Sequence, residues 1–165
     1  MHDHAASHQS GQFEIHSDPS LCHYAVVKVC GAILDSSLSN RTRVAVQLAL
    51  HEAVMNAIVH GNRLQSNLPV RVAWHRDGFQ VTVEVSDCGA GFSPHDVADP
   101  TRPANRIRPG GRGLAMIRHF VDEVSWNEHG NLIALQFRLQ DQSADKPPFP
   151  ESENPQEREF ITTQN

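Results

Sequence analysis

Glu52 and Asn56 are the residues of this sequence whose types and spacing most directly suggest chemistry. They lie four residues apart, so on a helix both side chains project from the same face. The surrounding residues 44–59 form one of the most apolar stretches of the chain, and a helix that is apolar on most sides is buried. A carboxylate and an amide are costly there unless another group compensates them. The alternative interpretation places both residues on one solvated stripe of the helix.

A second candidate site comes directly after a predicted strand. Residues 86–91 read Ser-Asp-Cys-Gly-Ala-Gly, so a carboxylate stands at the strand end beside alternating glycines. Glycine lets the backbone approach a flat ligand closely, and a carboxylate accepts hydrogen bonds. Asp87 is therefore able to accept a hydrogen bond from the exocyclic amine of adenine, although similar runs also form ordinary turns.

A third candidate site is rich in glycine. Gly110, Gly111 and Gly113 precede a predicted helix, and the free N–H groups and dipole of a helix N-terminus suit phosphate oxygens. Glycines also punctuate ordinary loops, so this pattern is weak alone. The order in which the three patterns follow one another is more informative than any one of them.

The first half of the chain predicts one strand and two helices. Residues 13–15 alternate like a short strand, and Asp18-Pro19 supplies a cap and a first-turn proline for a helix over residues 20–34. The candidate core contacts of that helix are Leu21, Val26, Val27 and Ile33. The long apolar helix over residues 44–59 is expected to end at Gly61 in a left-handed conformation.

The second half predicts a hairpin, a long connection, a helix and a last strand. Residues 70–85 alternate between apolar and polar around Asp77-Gly78, which is typical of a hairpin with one buried face. Residues 86–112 contain too many glycines and prolines for regular structure, and such a long connection is often a lid. A helix is predicted over residues 113–124 and a closing strand over residues 132–139.

Composition bounds the class of protein. The chain has 165 residues and a formal net charge of -5, enough for one domain and without the basic surface of a nucleic-acid binder. We assign residues 1–11 to a disordered His-rich leader, 12–140 to the domain and 141–165 to a disordered acidic tail. No apolar run is long enough to span a bilayer, and the three cysteines are too few for a disulfide framework. We therefore expect a soluble, cytoplasmic protein without a membrane or nucleic-acid partner.

The order of these motifs resembles the Bergerat-fold (GHKL) superfamily of ATPases and kinases, which includes gyrase, Hsp90, histidine kinases and MutL. Over about residues 12–140 come Glu-x-x-x-Asn on an apolar helix, a hairpin, Asp-x-Gly-x-Gly, a lid and Gly-Gly-x-Gly. His60-Gly61 after the helix, the short lid and Gly-Gly-Arg-Gly-Leu are most similar to the anti-sigma-factor serine/threonine kinases. The resemblance implies a two-layer α/β sandwich whose mixed sheet is covered by helices on one face.

The resemblance also implies a role for each matched residue. Asn56 would bind Mg²⁺, which would bridge the phosphates of ATP, and Glu52 would be the general base toward an attacking hydroxyl. Asp87 would recognise adenine, with Gly89 and Gly91 allowing close approach. The other residues expected at the nucleotide are Gly110, Gly111, Gly113 and Leu114. The candidate arginines for the transferring phosphoryl group are Arg102, Arg106, Arg108 and Arg112, of which Arg108 and Arg112 are the catalytic candidates.

The function implied by the resemblance is that of an ATP-dependent serine/threonine-protein kinase acting as an anti-sigma factor. It would phosphorylate an antagonist of the STAS type, sequester a sigma factor or similar partner, and form a homodimer through its N-terminal strand and first helix. The alternative is a nucleotide-gated binding module with little catalysis. The catalytic half of a histidine kinase is disfavoured, because the one His-Glu pair, His51-Glu52, lies within the nucleotide helix.

Overall fold

A computed structural model describes residues 9–91 and 111–139, excepting the side chains of residues 111 and 112. The strands are β1 (Gln9–His16), β2 (Pro69–Asp77), β3 (Gln80–Ser86), β4 (Glu123–Trp126) and β5 (Leu132–Arg138). The α-helices are α1 (Cys22–Ile33), α2 (Asn40–Asn56) and α3 (Gly111–Phe120). A 3-10 turn, Pro19–Leu21, precedes α1, and a π-helical turn, Ala57–Gly61, continues α2. β1 includes residues 9–11, the end of the expected leader. The remainder of that leader, residues 92–110 of the expected lid and the tail lie outside the described residues.

The five described strands form one sheet in the order β1-β2-β3-β5-β4. Every neighbouring pair is antiparallel, so the prediction of a mixed sheet is wrong. The chain does cross from β3 through α3 to β4, and these two strands run in the same direction. They do not pair, because β5 lies between them and is antiparallel to both.

The helices cover one face of this sheet. Side chains that alternate along the strands point toward the helices and join a single core cluster with helix residues; its members include Val29, Leu50, Val70, Val72, Val83, Ile117 and Leu135. The intervening strand residues, such as Arg71 and Glu84, are exposed on the other face. The predicted two-layer α/β sandwich with helices on one face is therefore confirmed. Within residues 9–91 and 111–139, no helix is long and apolar enough to cross a lipid bilayer.

Local sequence signals set where the first two helices begin. Asp18 caps the turn before α1, its Oδ1 accepting from the Ser20 N–H at 2.9 Å, which confirms the predicted start. Ser39 caps α2 by accepting from the Thr42 N–H at 3.1 Å. Two expected core positions are wrong, because Val27 and Val44 are 54% and 46% exposed. Each helix of a two-layer sandwich keeps one side in solvent, and these valines lie on that side.

The long helix ends at Gly61, as predicted, but the backbone conformation of Gly61 differs from the prediction. Gly61 is absent from the left-handed residues of the described chain; Arg63 and Leu64 adopt that conformation instead, with φ of 52° and 59°. The Leu64 N–H donates to the Ile58 carbonyl at 2.9 Å and the Asn62 N–H to the Ala57 carbonyl at 2.8 Å. Helical structure therefore ends where it was predicted to end, the left-handed residues follow two and three positions later, and Gly61 is needed for another reason.

The third helix is shorter than predicted, since it ends at Phe120 and residues 123–126 form β4. The Asp122 N–H donates to the Gln136 carbonyl at 2.9 Å, and the Asp122 carboxylate accepts from the Arg138 N–H at 2.7 Å. Val124 is paired with Leu135. Bonding to β5 thus overrides the helical spacing that had included Val124.

Candidate functional site

The face of α2 that carries Glu52 and Asn56 is neither fully buried nor fully solvated. The Glu52 side chain is 29% exposed, and Asn56 is half-buried. Behind them, Ala53 and Val54 lie in the core. Burial and, to a smaller extent, the Glu52 charge raise the pKa of the Cys22 thiol on α1 to about 11. Both polar side chains are therefore partly exposed, and Glu52 lies near enough to Cys22 of α1 for its charge to act on the thiol.

Gly113 brings the start of α3 onto this same face. A Cβ placed on Gly113 would lie 2.8 Å from Glu52 Oε2 and 3.4 Å from Asn56 Nδ2. A side chain at this position would have to displace the Glu52 carboxylate. The N-terminal turn of α3, with its free N–H groups and positive dipole end, therefore meets the carboxylate and the amide. Two motifs that are far apart in the sequence thus form one site.

Asp87 is held at the end of β3 by its own backbone and by the next residues. Its N–H donates to the Asn131 carbonyl at 3.0 Å, and its Oδ1 accepts from the Gly89 N–H at 2.8 Å. Burial raises the pKa of the Asp87 carboxyl, and the Gly89 N–H offsets part of that rise. A partly desolvated acceptor of this kind gains from a ligand that donates to it.

Two glycines allow the loop of Asp87 to touch the end of the α2 region. A Cβ on Gly61 would lie 2.2 Å from Asp87 Cγ, and one on Gly89 would lie 2.3 Å from the Gly61 carbonyl oxygen. Gly61 is therefore required for its missing Cβ. Gly91 has a φ of 73°, and its Cβ would lie 1.7 Å from the His129 carbonyl oxygen. Gly89 and Gly91 have intramolecular reasons, and their expected contact with a ligand stays a prediction.

For several predicted site residues the structure describes either no atoms or only the backbone. Arg102, Arg106, Arg108 and Gly110 lie outside the described residues. Gly111 is the first residue of α3, and the Arg112 side chain is not among those described. Leu114 is half-buried and packs against the core, so its expected nucleotide contact stays a prediction.

The surroundings of Asp87 include three residues that no sequence pattern marks: Asn62, Ser17 and Asn131. Asn62 and Ser17 are 1% and 2% exposed, and the Asn62 Oδ1 accepts from the Cys88 N–H at 2.8 Å. Asn131 contacts Asp87 through its carbonyl and donates from Nδ2 to the Asp87 carbonyl at 3.4 Å. An asparagine after a helix glycine resembles an exposed cap, and no periodic pattern marks contacts over this sequence distance.

Gly61→Ala tests the contact between the α2 end and Asp87. The added methyl group must displace the Asp87 carboxylate, so the ATP affinity that the sequence resemblance implies is expected to fall by about tenfold or more, measured by titration calorimetry. Gly31→Ala is the matched control, because a Cβ on Gly31 meets nothing within 4 Å. That change in α1 is expected to stabilise the fold by about 0.5–1 kcal/mol without altering ATP affinity. Equal affinities for both variants would contradict the proposed contact.

Known proteins match the part of the chain that contains this site. The family described as "Histidine kinase-like ATPase domain" matches residues 17–137. A serine/threonine-protein kinase of Bordetella bronchiseptica, BtrW, is 27% identical over 90 residues, which are 53% of this chain and 63% of that protein. The chain thus aligns with less than two thirds of the relative's length. The family match runs from Ser17 to β5 and includes both α2 residues, Asp87 and Gly113.

Proposed function

The chain belongs to the histidine kinase-like ATPase domain family, and we propose that it is an ATP-dependent serine/threonine-protein kinase. The observation that carries the proposal is the approach of Gly113 to Glu52 and Asn56. A carboxylate, a carboxamide and the N-terminus of a helix then face one place. Phosphoryl transfer needs these parts: a group that accepts a proton, a metal ligand, and donors for phosphate oxygens.

The residues present fit Mg²⁺ and the phosphates of ATP. Mg²⁺ takes oxygen ligands, retains several waters and is bound mainly through substrate phosphates. Within the described ranges, no group of three or more His, Cys, Asp or Glu side chains is placed to hold a metal ion, in keeping with an ion that arrives with the nucleotide. Asn56 would hold it through its carboxamide oxygen, and the bound ion would neutralise phosphate charge. The N–H groups of α3 would take phosphate oxygens.

Glu52 would act on the protein substrate. Its carboxylate lies one helical turn before Asn56, so it would face a hydroxyl brought to the γ-phosphate. There it would accept the hydroxyl proton as the oxygen attacks the γ-phosphorus and the bond from that phosphorus to the bridging oxygen breaks, so that ADP leaves. Arg108 and Arg112 are the proposed cations for the charge on the transferring group.

Asp87 would select adenine. Its carboxylate, supported by Gly89 and flanked by Gly61, would accept from the exocyclic amine of the base. A half-buried carboxylate whose pKa is raised by burial is stabilised by such a donor. Asp87 directly follows Ser86, the last residue of β3, so the pairing of β3 with β2 fixes where the loop of Asp87 begins.

The proposed biological role is that of a cytoplasmic anti-sigma regulatory factor. The protein would phosphorylate a STAS-type antagonist and sequester a sigma factor or a similar regulator, without contacting nucleic acid. The relative's name supports the kinase part of this proposal, since it is a serine/threonine-protein kinase. The test is to isolate bound proteins by co-purification, identify them by mass spectrometry, and incubate the antagonist with the full chain and Mg-ATP. Phosphoserine or phosphothreonine on the antagonist is the expected product; its absence would contradict the proposal.

We propose further that two copies associate through β1 and α1. Among the described strands, β1 lies at an edge of the sheet, and on the adjoining helix Tyr24 and Val27 are 52% and 54% exposed. The Tyr24 ring contacts Phe13 of β1 with centroids 6.1 Å apart, and the Lys28 ammonium lies 4.4 Å from the Phe13 ring centroid. The exposed surface thus joins aromatic rings, a valine and one cation across both elements.

The double change of Tyr24→Asp and Val27→Asp is expected to convert the dimer to a monomer in sedimentation velocity, because two charges would be buried at the interface. Phe79→Asp is the matched control: Phe79 is 53% exposed but lies in the β2–β3 turn. It should leave the sedimentation coefficient unchanged. A wild-type monomer, or a dimer that survives the double change, would contradict this surface.

A further inference from the structure

Asn62 is a buried polar residue to which the proposed phosphoryl transfer assigns no role. With Ser17 it is one of two fully buried polar residues in the described part of the chain. A carboxamide offers two donors and one acceptor oxygen, and burying it is costly unless these are bonded. Its bonds therefore indicate what the residue is for.

The nitrogen of Asn62 is bonded to residues at the end of β1 and at the start of β2. Nδ2 donates to Ser17 Oγ at 2.8 Å and to the Pro69 carbonyl at 2.9 Å. Ser17 Oγ in turn donates to the Leu68 carbonyl at 2.7 Å. Both N–H bonds of the carboxamide are thus used, so its orientation is determined and Oδ1 points the other way.

The oxygen of Asn62 is bonded to the loop that carries Asp87. Oδ1 accepts from the Cys88 N–H at 2.8 Å. The N–H groups on either side, of Asp87 and Gly89, are bonded to Asn131 and to the Asp87 carboxylate. Three successive N–H groups are therefore tied, and Asn62 supplies the central bond from a side chain. It also follows Gly61, whose Cα faces the Asp87 carboxylate.

We propose that Asn62 is a positioning residue for Asp87 and so sets the selectivity of the site for the adenine amino group. The inference rests on the proposed function, in which Asp87 accepts from that group. Asn62 itself would not touch the nucleotide. It holds the Cys88 amide, and through that amide the direction in which the neighbouring carboxylate points.

The test compares Asn62→Ala with Ser17→Ala, using ATP and purine riboside triphosphate, which lacks the 6-amino group. Asn62→Ala is expected to weaken ATP binding by about tenfold and to weaken the analogue much less, so the preference for ATP shrinks. Ser17→Ala removes a buried hydroxyl of the same network but leaves the Cys88 bond, so the preference for ATP should persist. A merely structural role of Asn62 would weaken both nucleotides equally, and that result would overturn the inference.

A second measurement uses the wild-type chain and does not depend on whether Asn62→Ala folds. The Cys88 amide is expected to exchange with solvent as slowly as the paired amides of β3, because it donates to a buried oxygen. Exchange at the rate of an open loop would overturn the inference. A wild type that binds both nucleotides equally contradicts the role of Asp87 and, with it, this inference. A wild type that prefers ATP, together with an Asn62→Ala variant that retains the full preference, contradicts the inference alone.

Discussion

Glu52→Ala lowers the rate of phosphoryl transfer by about 10²–10⁴-fold and changes ATP affinity little: this is the result expected if the carboxylate is the general base. A base acts on the attacking hydroxyl in the transition state, so its loss affects the rate of the chemical step more than nucleotide binding. The measurement pairs single-turnover phosphorylation of the antagonist with calorimetric titration of ATP.

Two further variants separate basicity from position. Glu52→Gln keeps the shape of the side chain and loses its basicity, so it should be as slow as Glu52→Ala. His51→Ala is the matched control, because His51 is the neighbour of Glu52 on α2 but does not hydrogen-bond to it. Its side chain is 52% exposed, and its Nδ1 lies 4.0 Å from Glu52 Oε1, too far for a hydrogen bond. The rate of this variant should stay near that of the wild type. If Glu52→Ala leaves phosphorylation intact, the general base lies elsewhere. If neither the wild type nor any variant phosphorylates the antagonist but all of them bind the partner and ATP, the chain is a nucleotide-gated binding module.

Much of the fold follows from patterns that are local in the sequence. Alternation in residues 70–85 predicts the hairpin, and the Asp18 cap predicts where the first helical segment begins. What local patterns did not predict is β4, because Val124 continues the helical spacing of α3. Its pairing with Leu135 is a contact between separate elements. The antiparallel order has the same origin: it depends on β5 entering between β3 and β4.

In the candidate site, too, some features can be predicted from local spacing and others depend on contacts between separate elements. Glu52 and Asn56 share a face because of the helix period, which can be read from spacing alone. Their approach to Gly113 depends on how α3 packs on α2. Gly61 shows a different limit: glycine provides both left-handed freedom and the absence of Cβ, and sequence does not tell which one is used. The structure uses the second, beside Asp87.

Asp87→Asn is expected to weaken ATP binding by about 100-fold and, at neutral pH, to stabilise the protein without nucleotide. With Oδ1 still accepting from Gly89, the amide nitrogen would replace Oδ2 and present a donor to the donor of adenine. Stability should change in the opposite direction. Burial raises the pKa of the Asp87 carboxyl, so its contribution to stability is complete below its ordinary pKa and is lost as pH rises through the raised value. The neutral amide avoids that loss.

Asp35→Asn is the matched control, because ionisation of Asp35 stabilises the fold whereas ionisation of Asp87 destabilises it. Hydrogen bonds from Ser37, and then from Arg76, lower the pKa of the Asp35 carboxyl to about 2. Its contribution is therefore present above its ordinary pKa, and Asp35→Asn should destabilise the fold at neutral pH while leaving ATP affinity unchanged. Urea unfolding from pH 4 to 8 measures both effects, and the advantage of Asp87→Asn should grow with pH. A carboxylate that costs stability yet is needed for ATP is retained for binding; if Asp87→Asn instead lost stability and kept its ATP affinity, Asp87 would be a structural residue of the loop.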